Sequence, residues 1–154
     1  VERDALADDR DVLRRLRGLV RQRHEARRTR RAAADADEAA ALARALLDAA
    51  REGNLDILRP AIEAGIPLNM QDADGNTMLM LAAYHGHAAL VKLLAEHGAD
   101  VDLLNDRGQS PLAGAVFKGF DDVVAVLVEA GANPDAGVPS ARESARFFSR
   151  AYAF

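Results

Sequence analysis

Cysteine and tryptophan are absent from this 154-residue chain, and only 5% of its residues are aromatic. Without cysteine there can be no disulfides, no thiolate metal sites and no cysteine nucleophile. No apolar run approaches the roughly 20 residues of a membrane span. The start of the chain also lacks the long apolar stretch of a secretory signal, so a soluble cytoplasmic protein is expected. The scarcity of aromatics has a constructive side. Hydrophobic residues still make up 49% of the chain, so its core must be built largely from Ala, Leu and Val. Such small, regular side chains suit close helix–helix packing.

The net charge of −4 hides two unequal segments of opposite sign. Residues 1–31 carry 11 arginines against 6 acids, a net of +5, and residues 32–154 carry 9 basic and 18 acidic residues, a net of −9. Opposite charge in adjoining segments points to two physical roles. The basic segment reads as a helix over residues 4–31, with Leu6, Leu13, Leu16 and Val20 forming a seam at coiled-coil spacing. Between Arg14 and Arg31 stand nine arginines and a single acid, Glu25. That cluster suits nucleic-acid phosphates or an acidic protein surface, a solvated charged face, or docking onto the acidic part of its own chain. No aromatics are interleaved for base stacking. The chain opens on Val1 and not on Met. It is therefore read either as a piece of a longer chain or as one whose start is placed too far upstream, in which case the arm is no working part of the protein.

Beyond the arm, the glycines repeat. Gly53, Gly86 and Gly119 are spaced by 33, as are Gly65, Gly98 and Gly131, and Gly75 and Gly108. Glu63, Glu96 and Glu129 keep the same register, as do Leu79 with Leu112 and Ala82 with Ala115. A period of this length signals a stacked helical repeat. Each unit can be read physically. Thr77 and Ser110 are helix N-caps, and Pro111 fits the first helical position. A short apolar helix follows, Leu79 to Tyr84 or Leu112 to Phe117, and ends at Gly86 or Gly119, where positive φ is needed. A second helix, from about Ala88 to His97 in one unit, turns Leu90, Val91, Leu93 and Leu94 inward. Its counterpart does so with Val123, Val124, Val126, Leu127 and Val128, and Gly98 and Gly131 stop the two.

The stretch Asp74-Gly-Asn-Thr-Met-Leu-Met-Leu-Ala-Ala-Tyr-His-Gly-His87, continued by Leu90-Val91-Lys92-Leu93-Leu94 and His97-Gly98-Ala99-Asp100, resembles the ankyrin repeat signature, in the style of short bacterial members. Gly108-Gln109-Ser110-Pro111-Leu112 and Gly131-Ala132-Asn133-Pro134-Asp135 repeat the likeness. The resemblance spans about residues 40–137 and implies an all-α, ankyrin-type helix-turn-helix solenoid with an extra N-terminal basic helix. The family's histidine that braces neighbouring turns is missing, replaced by Met80 and Ala113; that departure touches the loops and not the fold. The expected layout is an Arg-rich arm over 1–34 and a repeat domain over 35–154. The domain comprises a front unit at about 39–71, full repeats at 72–104 and 105–137, and a cap helix at about 140–152. Asp35 with Glu38, and Ser140 with Glu143, have the spacing of capping boxes that open the end units. Terminal repeats of an array are expected to be atypical, since they shield the core.

Chemistry finds little foothold. His85-x-His87 with His97 lacks a metal-binding motif such as His-Glu-x-x-His. Ser110 and Ser140 read as helix caps and not as nucleophiles, and the glycines mark helix ends and not a phosphate loop. No catalytic residue, metal or cofactor is expected, and the chain is read as a non-catalytic adaptor. The resemblance implies that a partner protein is met by the turn tips and the ends of the first helices, on the concave face. In this sequence those positions are Arg51 and Glu52; then Ala73, Asp74, Asn76, Tyr84, His85, His97 and Leu104; then Asp106, Arg107, Gln109, Phe117, Lys118 and Ala130. They form two rows, Arg51–Tyr84–Phe117 and Glu52–His85–Lys118. Tyr and Arg are favoured anchors at interfaces, and an exposed Phe117 beside Tyr84 would be an apolar patch awaiting a partner, unless both rings pack on neighbouring loops. At the other end Phe147, Phe148, Tyr152 and Phe154 either plug the last core or leave rings over for a homodimer surface. The competing reading is a nucleic-acid-associated or regulatory protein led by the arginines of 14–31.

Overall fold

The computed structural model describes the backbone of residues 2–154 and the side chains of residues 9–154. Among the described residues every named element is a helix: α1 Glu2–Glu52, α2 Leu55–Glu63, α3 Met78–Tyr84, α4 Ala88–Glu96, α5 Pro111–Lys118, α6 Asp121–Glu129 and α7 Ala141–Phe147. The chain divides into two compact units, 1–42 and 43–154.

The first unit is helix throughout its described backbone, the front 41 residues of α1. Its described side chains are nearly all exposed, and within it Asp11 pairs with Arg15 and Arg21 with Glu25 across one helical turn. Leu6 of the expected seam lies outside the described side chains. The expected break near residue 35 is absent: Asp35 and Glu38 lie inside α1 and open nothing. A capping box works only where preceding residues leave the helix. Here the flanking sequence is Arg- and Ala-rich with no Gly or Pro between Gly18 and Gly53, and such residues favour continuation.

The second unit is built in two layers. The last turns of α1 lead a stack of first helices, α3, α5 and α7, while α2, α4 and α6 stack behind them. Local chemistry sets each start. The Thr77 hydroxyl accepts from the Met80 N–H at 3.1 Å, and Ser110 accepts from Ala113 N–H at 3.1 Å with Pro111 next to it. Ser140 and Glu143 close a full capping box at 3.2 and 2.8 Å. Between the layers Ala49, Ala82 and Ala115, one per unit at the 33-residue period, are buried, and Ala145 of α7 is buried as well. Leu46, Leu79 and Leu112 form a second buried row. A methyl group at the tightest contact lets helices approach closely, and the leucines beside it supply the apolar area that drives burial.

A second regularity joins the units. The residue that follows each helix-ending turn lies over the helix-ending glycine of the unit before it. His87 lies over Gly53, Phe120 over Gly86, and Arg150 over Gly119. A side chain on Gly53 would collide with the His87 ring, and one on Gly86 would lie 3.2 Å from Phe120. At two of the three joints the upper residue also satisfies helix-end carbonyls of the unit before it. His87 Nε2–H donates to the Arg51 carbonyl at 2.8 Å, and the Arg150 guanidinium donates to the Val116 and Phe117 carbonyls.

The turns are tied without the family's histidine. Asp72 and its counterpart Asn105 each accept two backbone N–H groups of their own turn, at 2.9–3.1 Å. Neighbouring turns then bond directly: Asp106 N–H to the Asp74 carbonyl at 3.0 Å, Asn105 to Asn76 at 3.0 Å, and Val138 N–H to the Gly108 carbonyl at 2.9 Å.

The C-terminal unit departs from expectation. Its helix stops at Phe147 and not near Tyr152. The unit steps by 30 residues instead of 33: Ser140 occupies the place of Ser110, and Ser149, at φ 52, the place of Gly119. The Arg150 N–H returns to the Ala145 carbonyl at 2.8 Å, and the tail then runs back over the array. Tyr152 donates to Asp121 at 2.5 Å, and Arg142 holds both Asp135 and the Phe154 carbonyl. Tyr152 and Phe154 pack against the core, whereas Phe148 does not plug it. The last core is closed by Ala141, Ser144 and Ala145.

Candidate protein-binding face

The turns anchored by Asp72 and Asn105 hold their tips at fixed places, and those tips carry Asp74, Asn76, Asp106, Arg107 and Gln109. Behind them the last turns of α3 and α5 present Tyr84, His85, Phe117 and Lys118. Between the two sets runs a shallow groove. One part, about 200 Å³, lies among Asp74, Asn76, Tyr84, Arg107 and Gln109, with Met80 and Leu81 below. The next, about 160 Å³, lies between Tyr84 and Phe117, floored by Met80, Ala113 and Gly114 and closed by Pro139 and Ser144. The two parts share Met80, Tyr84 and Gln109 and so form one trough.

The trough exists because the two repeats differ at its floor. Leu81 of the first has Gly114 as its counterpart in the second, and Met80 has Ala113. Losing that volume opens space beside Tyr84, whose Cδ2 lies 3.4 Å from where a Gly114 Cβ would stand. The walls are half-exposed rings: Tyr84 is 39% and Phe117 53% accessible.

Above the rings the charge is positive. Lys118 Nζ sits 4.9 Å from the Tyr84 ring centroid, within cation–π range, and His85 meets Tyr84 edge-on at 5.6 Å. Burial, and then the charges of Arg51, His87 and Lys118, hold the His85 pKa below its ordinary value. Arg51 is itself held by Asp48 at 2.5 Å and more loosely by Asp72 at 3.9 Å.

The structure thus brings together Arg51, Tyr84, His85, Phe117 and Lys118, and places Asp74, Asn76, Arg107 and Gln109 along the same trough. Other expected positions stand apart from it. Glu52 is exposed at the end of α1, and Ala73 and Asp106 are exposed on the turns. Ala130 is the C-cap of α6. Leu104 lies against the next turn, beside Gly137. His97 caps α4 in the rear layer, its Nδ1–H donating to the Leu93 carbonyl at 2.9 Å. His87 faces the Arg51 carbonyl, and among the described residues no three His, Asp or Glu side chains gather as a metal site would require.

Several contributors escaped the sequence reading. Met80, Gly114, Pro139 and Ser144 shape the trough, yet each reads in sequence as a core, helix-weakening, turn or capping residue. Phe147 extends the row of Tyr84 and Phe117 by one place once the 30-residue step is allowed, and is 82% accessible. Phe148 bridges Phe147 and Phe117 edge-on, at 5.0 and 5.4 Å, with the Arg150 guanidinium 5.0 Å from its centroid.

Comparison with known proteins identifies the repeat that carries this face. A family model described as ankyrin repeats (3 copies) matches residues 46–137, so it takes in the front unit from Leu46 onward. Among solved structures, the chain is similar to the human ASB11 ankyrin repeat domain, with 35% identity and a TM-score of 0.55. The match covers 58% of this chain and 40% of that one. No curated protein matches.

Proposed function

Because the chain belongs to the ankyrin repeat family, whose repeats are generally protein–protein interaction modules, we propose that it is a non-catalytic adaptor that holds a segment of a partner protein in the trough between Tyr84 and Phe117. The observation that carries this reading is the pairing of two half-exposed rings at equivalent places with a floor emptied by Gly114. A partner that covers the remaining face of such a ring buries apolar area at small entropic cost, because the ring is already held in place. The polar rim of Asp74, Asn76, Arg107 and Gln109 supplies donors and acceptors for a peptide backbone. Arg51, His85 and Lys118 form a cationic border.

The test is a Tyr84→Ala/Phe117→Ala double substitution. The chain keeps its helical content and thermal midpoint to within a few degrees, because both rings are half-exposed, and loses its partner in an affinity pull-down read by mass spectrometry. Undiminished recovery of the same partner by the folded variant rejects this trough as the site.

A further inference from the structure

The first unit carries an unexplained pattern along one face of α1. Alternating steps of four and three residues run Asp9, Leu13, Leu16, Val20, Arg23, Arg27, Arg30, which is the heptad spacing of a coiled-coil seam. Val12 and Leu19 flank it. These five apolar side chains are 48–57% exposed. The seam therefore has three zones in order: acidic, apolar, basic. The acidic zone is reinforced by the sequence around it, since residues 2–11 carry five acids against Arg3 and Arg10, while residues 21–31 carry six arginines against Glu25. Among the described residues Asp9, Arg23, Arg27 and Arg30 have no ion-pair partner, whereas the off-seam Asp11 and Arg21 are paired within the helix.

An acidic–apolar–basic face is complementary to itself only when reversed. In an antiparallel pair with its two-fold axis between Leu16 and Gly18, the apolar zones meet and Asp9 of each copy reaches Arg23 to Arg27 of the other. In a parallel pair Arg23, Arg27 and Arg30 would stack against their own copies and repel. The long arginine stems can cover apolar surface while their charged ends reach the facing acids. A long helix also gains most of its stability from packing an apolar face, which the front of α1 lacks as a single chain. We propose that the front of α1 is a self-association element, which joins two copies of this chain as an antiparallel helix pair.

Sedimentation equilibrium of the full chain over a concentration series reads the association. The expected result is a monomer–dimer equilibrium in which Leu16→Asp raises the dissociation constant by about a hundredfold, through a charge forced into the apolar zone. Asp9→Arg alone, and Arg23→Asp with Arg27→Asp, each weaken the dimer, and the three together restore it. Orientation is read by introduced cysteines, which are unambiguous in a chain that has none. Leu16→Cys, near the axis, oxidises to a covalent dimer, whereas Arg30→Cys does not. Three outcomes overturn the proposal: a monomer at every concentration, including one whose arm instead binds duplex DNA or anionic vesicles; a dimer indifferent to Leu16→Asp; or equal cross-linking at positions 16 and 30, which is the parallel arrangement. None of these substitutions touches the trough, so the partner pull-down and this experiment fail independently.

Discussion

Two glycines five residues apart, one inside α5 and one at its C-cap, should respond to the same substitution with opposite signs. Gly114 lies inside the helix with ordinary helical backbone, and a Cβ there meets only Tyr84 Cδ2 at 3.4 Å, a contact the half-exposed ring can yield to. Replacing glycine by alanine in a helix interior gains about 1 kcal/mol. Spread over the roughly 110 residues of the repeat unit, at about 2.1 cal/mol/K per residue, that gain raises the melting midpoint by about 4 °C. Gly119 differs. It is the left-handed cap at φ 74, and a Cβ there would lie 3.0 Å from the Arg150 guanidinium. The left-handed conformation alone costs an L-residue about 1–2 kcal/mol, so Gly119→Ala should lower the midpoint by about 4–8 °C. Thermal unfolding followed by circular dichroism, for both variants and the parent, measures the pair. A fall for Gly114→Ala, or shifts of the same sign at both positions, refutes the account of the trough floor and of the joint above it. Gly114→Leu carries the logic to function. Leucine is already accommodated at the equivalent position, Leu81, so the fold persists while the 160 Å³ space is filled and partner recovery drops.

His87→Ala removes the hydrogen bond to the Arg51 carbonyl, which should cost about 1 kcal/mol and speed amide exchange around the α1–α2 turn without altering exchange at the end of α5; uniform acceleration across the array would count against a local joint. His85 has a folded pKa below its ordinary 6.5, so the unfolded chain binds the proton more readily. Its effect on stability is therefore absent above about pH 6.5 and appears as destabilisation when pH falls from there through the folded value. Proton NMR of the imidazole should give a midpoint under 6.5, and His85→Gln should flatten that limb of the stability profile; a midpoint at or above 6.5 contradicts a ring lowered by burial and by the cations beside it.

Much of the repeat unit was legible because its punctuation is chemical. Thr77, Ser110 and Ser140 each had to cap a helix, and glycine at a fixed period had to mark positive φ, so the first and second helices fell where the residues required. Tyr84 and Phe117 could be paired from register alone. Three features were not legible, for separate reasons. Asp35 and Glu38 have the identities of a capping box, but identity does not stop a helix that alanines and arginines on both sides favour. Shortening by three residues in the turn before Ser140 broke the period that located everything else, so the end of α7 and the place of Phe147 went unseen. Gly114 was hidden because a glycine within a helix reads as weakness, when its effect here is a shape: the space left where Leu81 has its counterpart.

The joint between units bears on how such an array can grow. The lower half of each joint is a glycine, the same at Gly53, Gly86 and Gly119. The upper half varies: an imidazole at His87, a phenyl ring at Phe120 and a guanidinium at Arg150. A socket without a side chain accepts any of the three, so a copied or transplanted unit brings its own plug and finds a fitting socket wherever it lands. Modular gain and loss of repeats would then need no matched mutation in the neighbour, and the variable half is left free to tune how firmly each pair of units is clasped.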